Sequence, residues 1–168
     1  MDTAVSAARE KLNHVTPLKK DCGRICNARC CLSLDGEETG MLLFPGEAEV
    51  YRGKADWEIR KTTQGDLIFC SGTCERGERP LSCRMFPLLP VIGDDGKICV
   101  IMDRRARAVC PLARQGKDAL DPDFIDAVRE VGELLARQEE QVLFLNRLRE
   151  EQEELKRLRQ KFINHSPE

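Results

Sequence analysis

The sequence predicts an α+β fold, in which a small cysteine-cluster domain with short β-hairpins precedes a long C-terminal helix. Three observations indicate this organisation. Four of the nine cysteines lie within residues 22–31. Residues 57–69 and 89–101 each read as two short strands around a glycine-containing turn, which is the pattern of a β-hairpin. From residue 121 onward, apolar residues recur at helical spacing almost to the end of the chain.

The composition excludes several classes of protein. The chain has 168 residues, of which 41% are hydrophobic and 33% charged, and its net charge is −2. Without a polybasic segment, we expect no nucleic-acid partner. We also expect no membrane association, because no apolar run approaches the length of a membrane span, and no apolar targeting segment opens the chain. We therefore expect a cytoplasmic protein, with residues 1–118 as the cysteine-cluster domain and residues 119–168 as the long amphipathic helix and a short tail.

The cysteine-rich stretch predicts ligands on one face of a helix. Cys22, Cys26 and Cys30 lie four residues apart, so in a helix their sulfurs share one stripe. Asp21 would cap this helix, and the helix dipole would favour the thiolate of the first cysteine. Cys31 points about 100° away from Cys30. The spacing indicates two adjacent sites, or one ligand beside one supporting thiol.

The middle of the chain adds three more candidate cysteines. The first hairpin delivers Cys70 from its far end, and Cys74 repeats the three-residue interval. Cys83 lies between Pro80 and Pro87, and we expect a rigid extended loop there because proline disfavours a helix interior.

The remaining two cysteines receive different interpretations. Cys99 lies between β-forming residues of the second hairpin and is interpreted as a core thiol. Cys110 precedes Pro111 in a predicted turn. Eight candidate metal ligands result: Cys22, Cys26, Cys30, Cys31, Cys70, Cys74, Cys83 and Cys110.

Eight thiols suit a metal-stabilised domain. Cytoplasmic thiols stay reduced, so clustered cysteines there favour metal or redox chemistry over disulfides. A zinc ion or a 4Fe–4S cluster takes about four thiolates, so eight would fill two tetrahedral sites, or one cluster and one ion. All-cysteine sites suit both metals. The expected cofactor is a 4Fe–4S cluster or zinc.

Arginine is frequent beside these cysteines. A four-thiolate site carries negative charge, which guanidinium groups would offset while donating hydrogen bonds to sulfur. The alternative is a solvated basic face, and the sequence leaves both open. The arginines concerned are Arg24, Arg29, Arg76, Arg79, Arg84, Arg104, Arg105 and Arg107.

Catalysis has little support in the residues themselves. Both histidines, His14 and His165, lie near the termini, so a Cys/His pair or a Ser/His/Asp triad is not favoured. We interpret His14 as a solvated loop residue. No glycine-rich phosphate loop follows a predicted strand. Whether the protein is an enzyme stays open at this point.

Three helices are predicted outside the cysteine cluster. Residues 3–13 form a short helix, and residues 45–54 form another that begins at Pro45. Asp121 caps the long C-terminal helix, whose first half we expect to pack on the domain while the second forms a solvated arm. The alternative is a helix for oligomerisation or for an unknown protein partner, because Leu148, Leu155 and Phe162 are heptad-spaced.

The cysteine pattern also resembles a known family. A cysteine cluster ending in the vicinal pair Cys30–Cys31 is followed by Cys70, Cys74, Arg79-Pro80-x-x-Cys83-Arg84-x-Phe86-Pro87 and Cys110-Pro111. This order resembles the YkgJ-like CxxCxxCC cysteine cluster family over residues 22–111. The resemblance implies a zinc- or iron-chelating domain. Flagellin lysine N-methylases carry a similar cluster, so it also implies a cluster-dependent methyltransferase as an alternative function.

Overall fold

The computed structural model describes residues 3–32, 40–72 and 74–164, and it is mixed α and β, as predicted. The described residues form seven α-helices: α1 Thr3–Lys11, α2 Gly23–Cys26, α3 Leu81–Met85, α4 Ala106–Val109, α5 Pro111–Gln115, α6 Pro122–Leu135 and α7 Glu139–Asn164. They also form five strands: β1 Met41–Leu42, β2 Trp57–Thr62, β3 Gly65–Cys70, β4 Leu88–Ile92 and β5 Ile98–Met102. His165 lies outside the described residues.

The main core forms where α1, α6 and α7 pack around the β4–β5 hairpin. Helix α6 contacts both strands, and its Phe124, Val128 and Val131 are fully buried. Gly132 lies where this helix meets the hairpin, and a Cβ there would come within 2.6 Å of Ile98. Glycine is therefore required by the close approach, although it weakens the helix itself.

The other sheet carries the first predicted hairpin. Strands β2 and β3 pair antiparallel through Ile59 and Ile68, and β1 adds to the free edge of β3. Cys70 ends β3 and pairs with Trp57 at the open end of the hairpin. The prediction that this hairpin delivers Cys70 is confirmed, as are the β4–β5 hairpin and the first helix.

A long C-terminal helix is present, as predicted, and it is α7. The stretch from Asp121 nevertheless forms two helices rather than one, because the chain turns between α6 and α7. The turn lets both helices pack on the same hairpin, and α7 buries Phe144, Leu145 and Leu148. Gln152, which interrupts the apolar stripe, is also buried. Its amide accepts from the Arg104 backbone N–H at 2.8 Å and donates to Asp103 at 3.1 Å.

The predicted cysteine helix is broken in the middle. Helix α2 ends at Cys26, and a 3-10 helix, Arg29–Cys31, follows. Asn27 and Ala28 separate them with φ of 52° and 51°, a left-handed conformation that interrupts a right-handed helix. Asp21 lies one residue before the helix cap, and its side chain accepts from the Gly23 N–H. The single stripe of sulfurs therefore does not form.

Three further expectations also differ from the structure. Cys83 lies inside helix α3, because Pro80 precedes its first turn and Pro87 follows its last, where proline is tolerated. Only a short 3-10 helix, Glu47–Val50, forms within residues 45–54. Cys99 is exposed on β5, so its interpretation as a core thiol is wrong. His14 is exposed in the loop after α1, as predicted.

A buried ion pair joins α1 to the segment that carries Cys83. Arg9 donates to Glu47 at 2.7 Å and to the Tyr51 hydroxyl at 2.6 Å, and Glu47 is fully buried. The same arginine donates to the Arg79 carbonyl at 2.9 Å, while Glu47 accepts from the Leu81 N–H at 2.7 Å. Residues 79–81 are thereby held from both sides.

Among the described residues, no helix is both long and apolar enough to cross a bilayer.

Replacing Glu47 with alanine is expected to lower the free energy of unfolding by about 3–5 kcal/mol, because Arg9 then stays buried without its partner. Urea denaturation measures this. Glu49→Ala is the control, since Glu49 pairs with Arg52 on the exposed surface, where such pairs contribute about 0–1 kcal/mol. Equal losses in the two variants would contradict a special role for the buried pair.

Candidate metal centre

The eight candidate cysteines line two adjoining cavities. The first cavity has a volume of about 100 Å³ and is lined by Cys22, Cys26, Cys30, Cys83 and Cys110. The second has a volume of about 40 Å³ and is lined by Cys30, Cys31, Cys70, Cys74 and Cys83. Cys30 and Cys83 border both cavities.

Short elements from distant parts of the chain deliver these thiols. Cys26 ends α2, and Cys70 ends β3. Cys83 lies in the middle of α3, with the buried side chains of Leu81 and Met85 on either side of it. Cys110 occupies the junction of α4 and α5, where Pro111 starts the next helix. The site therefore exists only after these elements have packed together.

The thiols are free, and they are not arranged as a ready-made coordination site. All nine cysteines are unpaired thiols. The sulfurs of Cys30 and Cys31 lie 3.9 Å apart, and the Cys26 thiol donates to the Cys22 carbonyl at 3.5 Å. Within the described ranges, no three His, Cys, Asp or Glu side chains already surround one point as metal ligands would. The fit to a metal lies in the chemistry of the donors, since soft thiolates select zinc and iron–sulfur clusters.

In the first cavity and in the vicinal pair Cys30–Cys31, neighbouring thiols shift one another's pKa values. Burial raises the pKa of Cys22, and the neighbouring Cys26 and Cys110 raise it further. The hydrogen bond between Cys30 and Cys31 raises the pKa of Cys30 and lowers that of Cys31.

In the second cavity, burial raises the pKa of Cys83, and the charges of Cys31, Cys74 and Cys70 add to the rise. Thiolates packed this closely repel one another in the absence of a cation.

Arg79 is the arginine that faces the thiols. Among the described residues, it is the one arginine that lines both cavities. Burial raises the pKa of Cys74, and the charge and side-chain hydrogen bond of Arg79 oppose that rise. The charge of Arg79 also favours the thiolates of Cys31 and Cys22.

Other arginines near the cysteines have different roles. Arg76 donates to the carbonyls of Leu12 and Asn13, at 2.9 and 3.2 Å. Arg84 donates to the carbonyls of Arg9 and Arg79, at 2.8 and 2.9 Å. Both therefore fix backbone segments around the cavities. The sequence could not separate these roles, because all of these arginines occur beside cysteines.

The remaining arginines of this set do not line either of the two cavities. Arg105 donates to Asp103 at 2.7 Å and to Glu151 at 3.3 Å, which ties the segment after β5 to helix α7. Arg24 points into solvent, with 89% of its side chain exposed. For Arg24, the alternative of a solvated side chain therefore applies.

A third cavity adjoins the same thiols. It has a volume of about 220 Å³ and includes Cys30, Cys31, Cys70 and Cys83 in its wall. Leu32 and Gly40, which border the undescribed residues 33–39, also line it.

The comparisons with known proteins identify no relative. No protein-family model matches the chain, and neither a curated protein nor a solved structure is significantly similar to it. Membership of the YkgJ-like cysteine cluster family therefore stays a prediction.

Replacing Arg79 with glutamine is expected to slow alkylation of Cys31 and Cys74 at neutral pH. Loss of the cation raises the thiol pKa, and each unit of increase lowers the thiolate fraction about tenfold. Iodoacetamide labelling of reduced, chelator-treated protein, followed by peptide mass spectrometry, measures the rates. Arg24→Gln is the control, because that side chain points into solvent. Unchanged rates in the Arg79 variant would show that its charge does not act on these thiols.

Proposed function

We propose that this chain is a metal-binding cysteine-cluster protein, which holds zinc or a 4Fe–4S cluster through most of its eight clustered thiols. One observation carries the proposal: eight of the nine cysteines line two adjoining cavities, although they lie between residues 22 and 110 of the chain. Thiols that served only to fill a core would have no reason to meet at one place.

The architecture around the thiols supports a role for metal in folding. The elements that carry them are short: α2 and α4 have four residues each, and α3 has five. Isolated helices of this length are unstable in water. Where a preformed site is lacking, metal-binding free energy becomes folding free energy. A metal bound by these thiols would therefore hold the short elements together.

The local charge supports the same proposal. Four thiolates around a divalent ion leave a net negative charge, which a guanidinium can offset. Arg79 lies against both cavities and its backbone is fixed by Arg9. The segment that resembles the cysteine cluster family, from Arg79 to Pro87, forms the wall between the two cavities with Cys83 and Phe86.

The other two hypotheses stay predictions. A methyltransferase follows from the resemblance alone, and titration calorimetry with S-adenosylmethionine would test it. A helix that binds a partner is compatible with α7, which exposes Leu143 and Leu158. Neither hypothesis is supported by an observation as direct as the eight thiols that line two adjoining cavities.

Protein purified without oxygen is expected to contain zinc, or iron with acid-labile sulfide, and a chelator is expected to lower its melting temperature. A metal present at 100 times its dissociation constant stabilises a fold by about 2.7 kcal/mol. For a chain of this size, that corresponds to a decrease of roughly 5–10 °C when the metal is removed. Elemental analysis, the visible spectrum and thermal denaturation measure these effects.

Two sets of serine variants test whether the clustered cysteines, and not Cys99, bind the metal. Cys26→Ser combined with Cys83→Ser should abolish binding, whereas Cys99→Ser should retain metal and melting temperature, because Cys99 is exposed on β5. A metal-free protein whose melting temperature does not respond to the chelator would refute the proposed function.

A further inference from the structure

The eight thiols fall into two groups of three with two thiols between them. Cys22, Cys26 and Cys110 line the first cavity alone. Cys31, Cys70 and Cys74 line only the second of these two cavities. Cys30 and Cys83 border both, so each group of three can gain a fourth member. This count matches two four-thiolate centres.

We propose that the cysteines form two separate and adjacent metal centres, each for a single thiophilic divalent ion such as zinc. The first centre consists of Cys22, Cys26, Cys30 and Cys110. The second consists of Cys31, Cys70, Cys74 and Cys83. This division rests on the proposed function, and it assigns the ligands of each centre.

The bordering thiol Cys83 decides the division. Cys83 lies among Cys31, Cys74 and Cys70 of the second cavity, so it completes that set of four. Cys30 lies beside Cys31 and also interacts with Cys22 and Cys26, and it completes the first set, which Cys83 leaves one thiol short. The vicinal residues Cys30 and Cys31 then serve different centres, and their sulfurs, 3.9 Å apart, mark where the centres meet.

The second cavity, considered apart from the adjoining third cavity that shares Cys30, Cys31, Cys70 and Cys83 with it, has space for a single ion. Its volume of about 40 Å³ holds only about three or four water-sized spheres, at ~10–15 Å³ each. A four-iron, four-sulfide cluster would place eight inorganic atoms there. Two divalent ions with eight thiolates also leave negative charge on both sides of Arg79, which lines both cavities. One guanidinium can therefore offset part of the negative charge of each of two neighbouring centres.

Titration of metal-free full-length protein with Co²⁺ under argon tests the division. Thiolate-to-cobalt absorption reports binding, and zinc content after reconstitution gives an independent count. We expect two equivalents for the wild type and for Cys99→Ser. Cys110→Ser and Cys74→Ser should each retain one equivalent, and the double variant should retain none.

Thiol protection gives the same information without any substitution. With one equivalent of zinc, the cysteines protected from iodoacetamide should correspond to one or both complete sets of four. With two equivalents, all eight should be protected while Cys99 reacts.

Three outcomes would overturn the division and leave the proposed function in place. They are one ion for each wild-type chain, loss of both ions in either single variant, or iron with acid-labile sulfide in native protein. A wild type that binds no zinc, cobalt or iron would instead overturn the proposed function, and the division with it.

Discussion

The buried ion pair of Arg9 and Glu47 is the interaction on which the arrangement of the cysteines depends. Two charges with almost no exposure to solvent require full hydrogen bonding, and here the segment around Pro80 supplies much of it. Because the Arg79 carbonyl accepts from Arg9 and the Leu81 N–H donates to Glu47, the loop before α3 is held against the ion pair. This arrangement places Cys83 between the two cavities and the Arg79 side chain against both.

The apolar core and the thiol-bearing elements differ in what stabilises them. The apolar core of α1, α6, α7 and the β4–β5 hairpin buries large side chains, and its packing follows from the hydrophobic effect. The thiol-bearing elements lie beside that core and are too short to be stable alone. Helix α3 belongs to both regions, because Leu81 and Met85 enter the core while Cys83 lines the cavities. Metal binding at the thiols would therefore be coupled to the core through one five-residue helix.

Electrostatics gives the arginines near the thiols distinct roles. Arg76 and Arg84 donate hydrogen bonds to backbone carbonyls and so connect separate segments of the chain. Arg79 keeps its guanidinium beside sulfur, since its own backbone, and not its side chain, is held by Arg9. Arg79 therefore places one cation beside both groups of thiols, and a neighbouring cation favours the thiolate form.

The sequence by itself determined the two hairpins and the first helix, because turn residues and apolar periodicity act locally. It did not determine the break at Asn27 and Ala28 or the turn between α6 and α7. Both depend on what each segment packs against, and tertiary packing overrides helical periodicity. The exposure of Cys99 was likewise decided by which face of β5 the helices cover. Only the tertiary structure could distribute the eight thiols over two cavities, because their convergence depends on contacts between residues 38 to 75 positions apart, such as those of Arg9 with Glu47 and of Arg84 with Arg9.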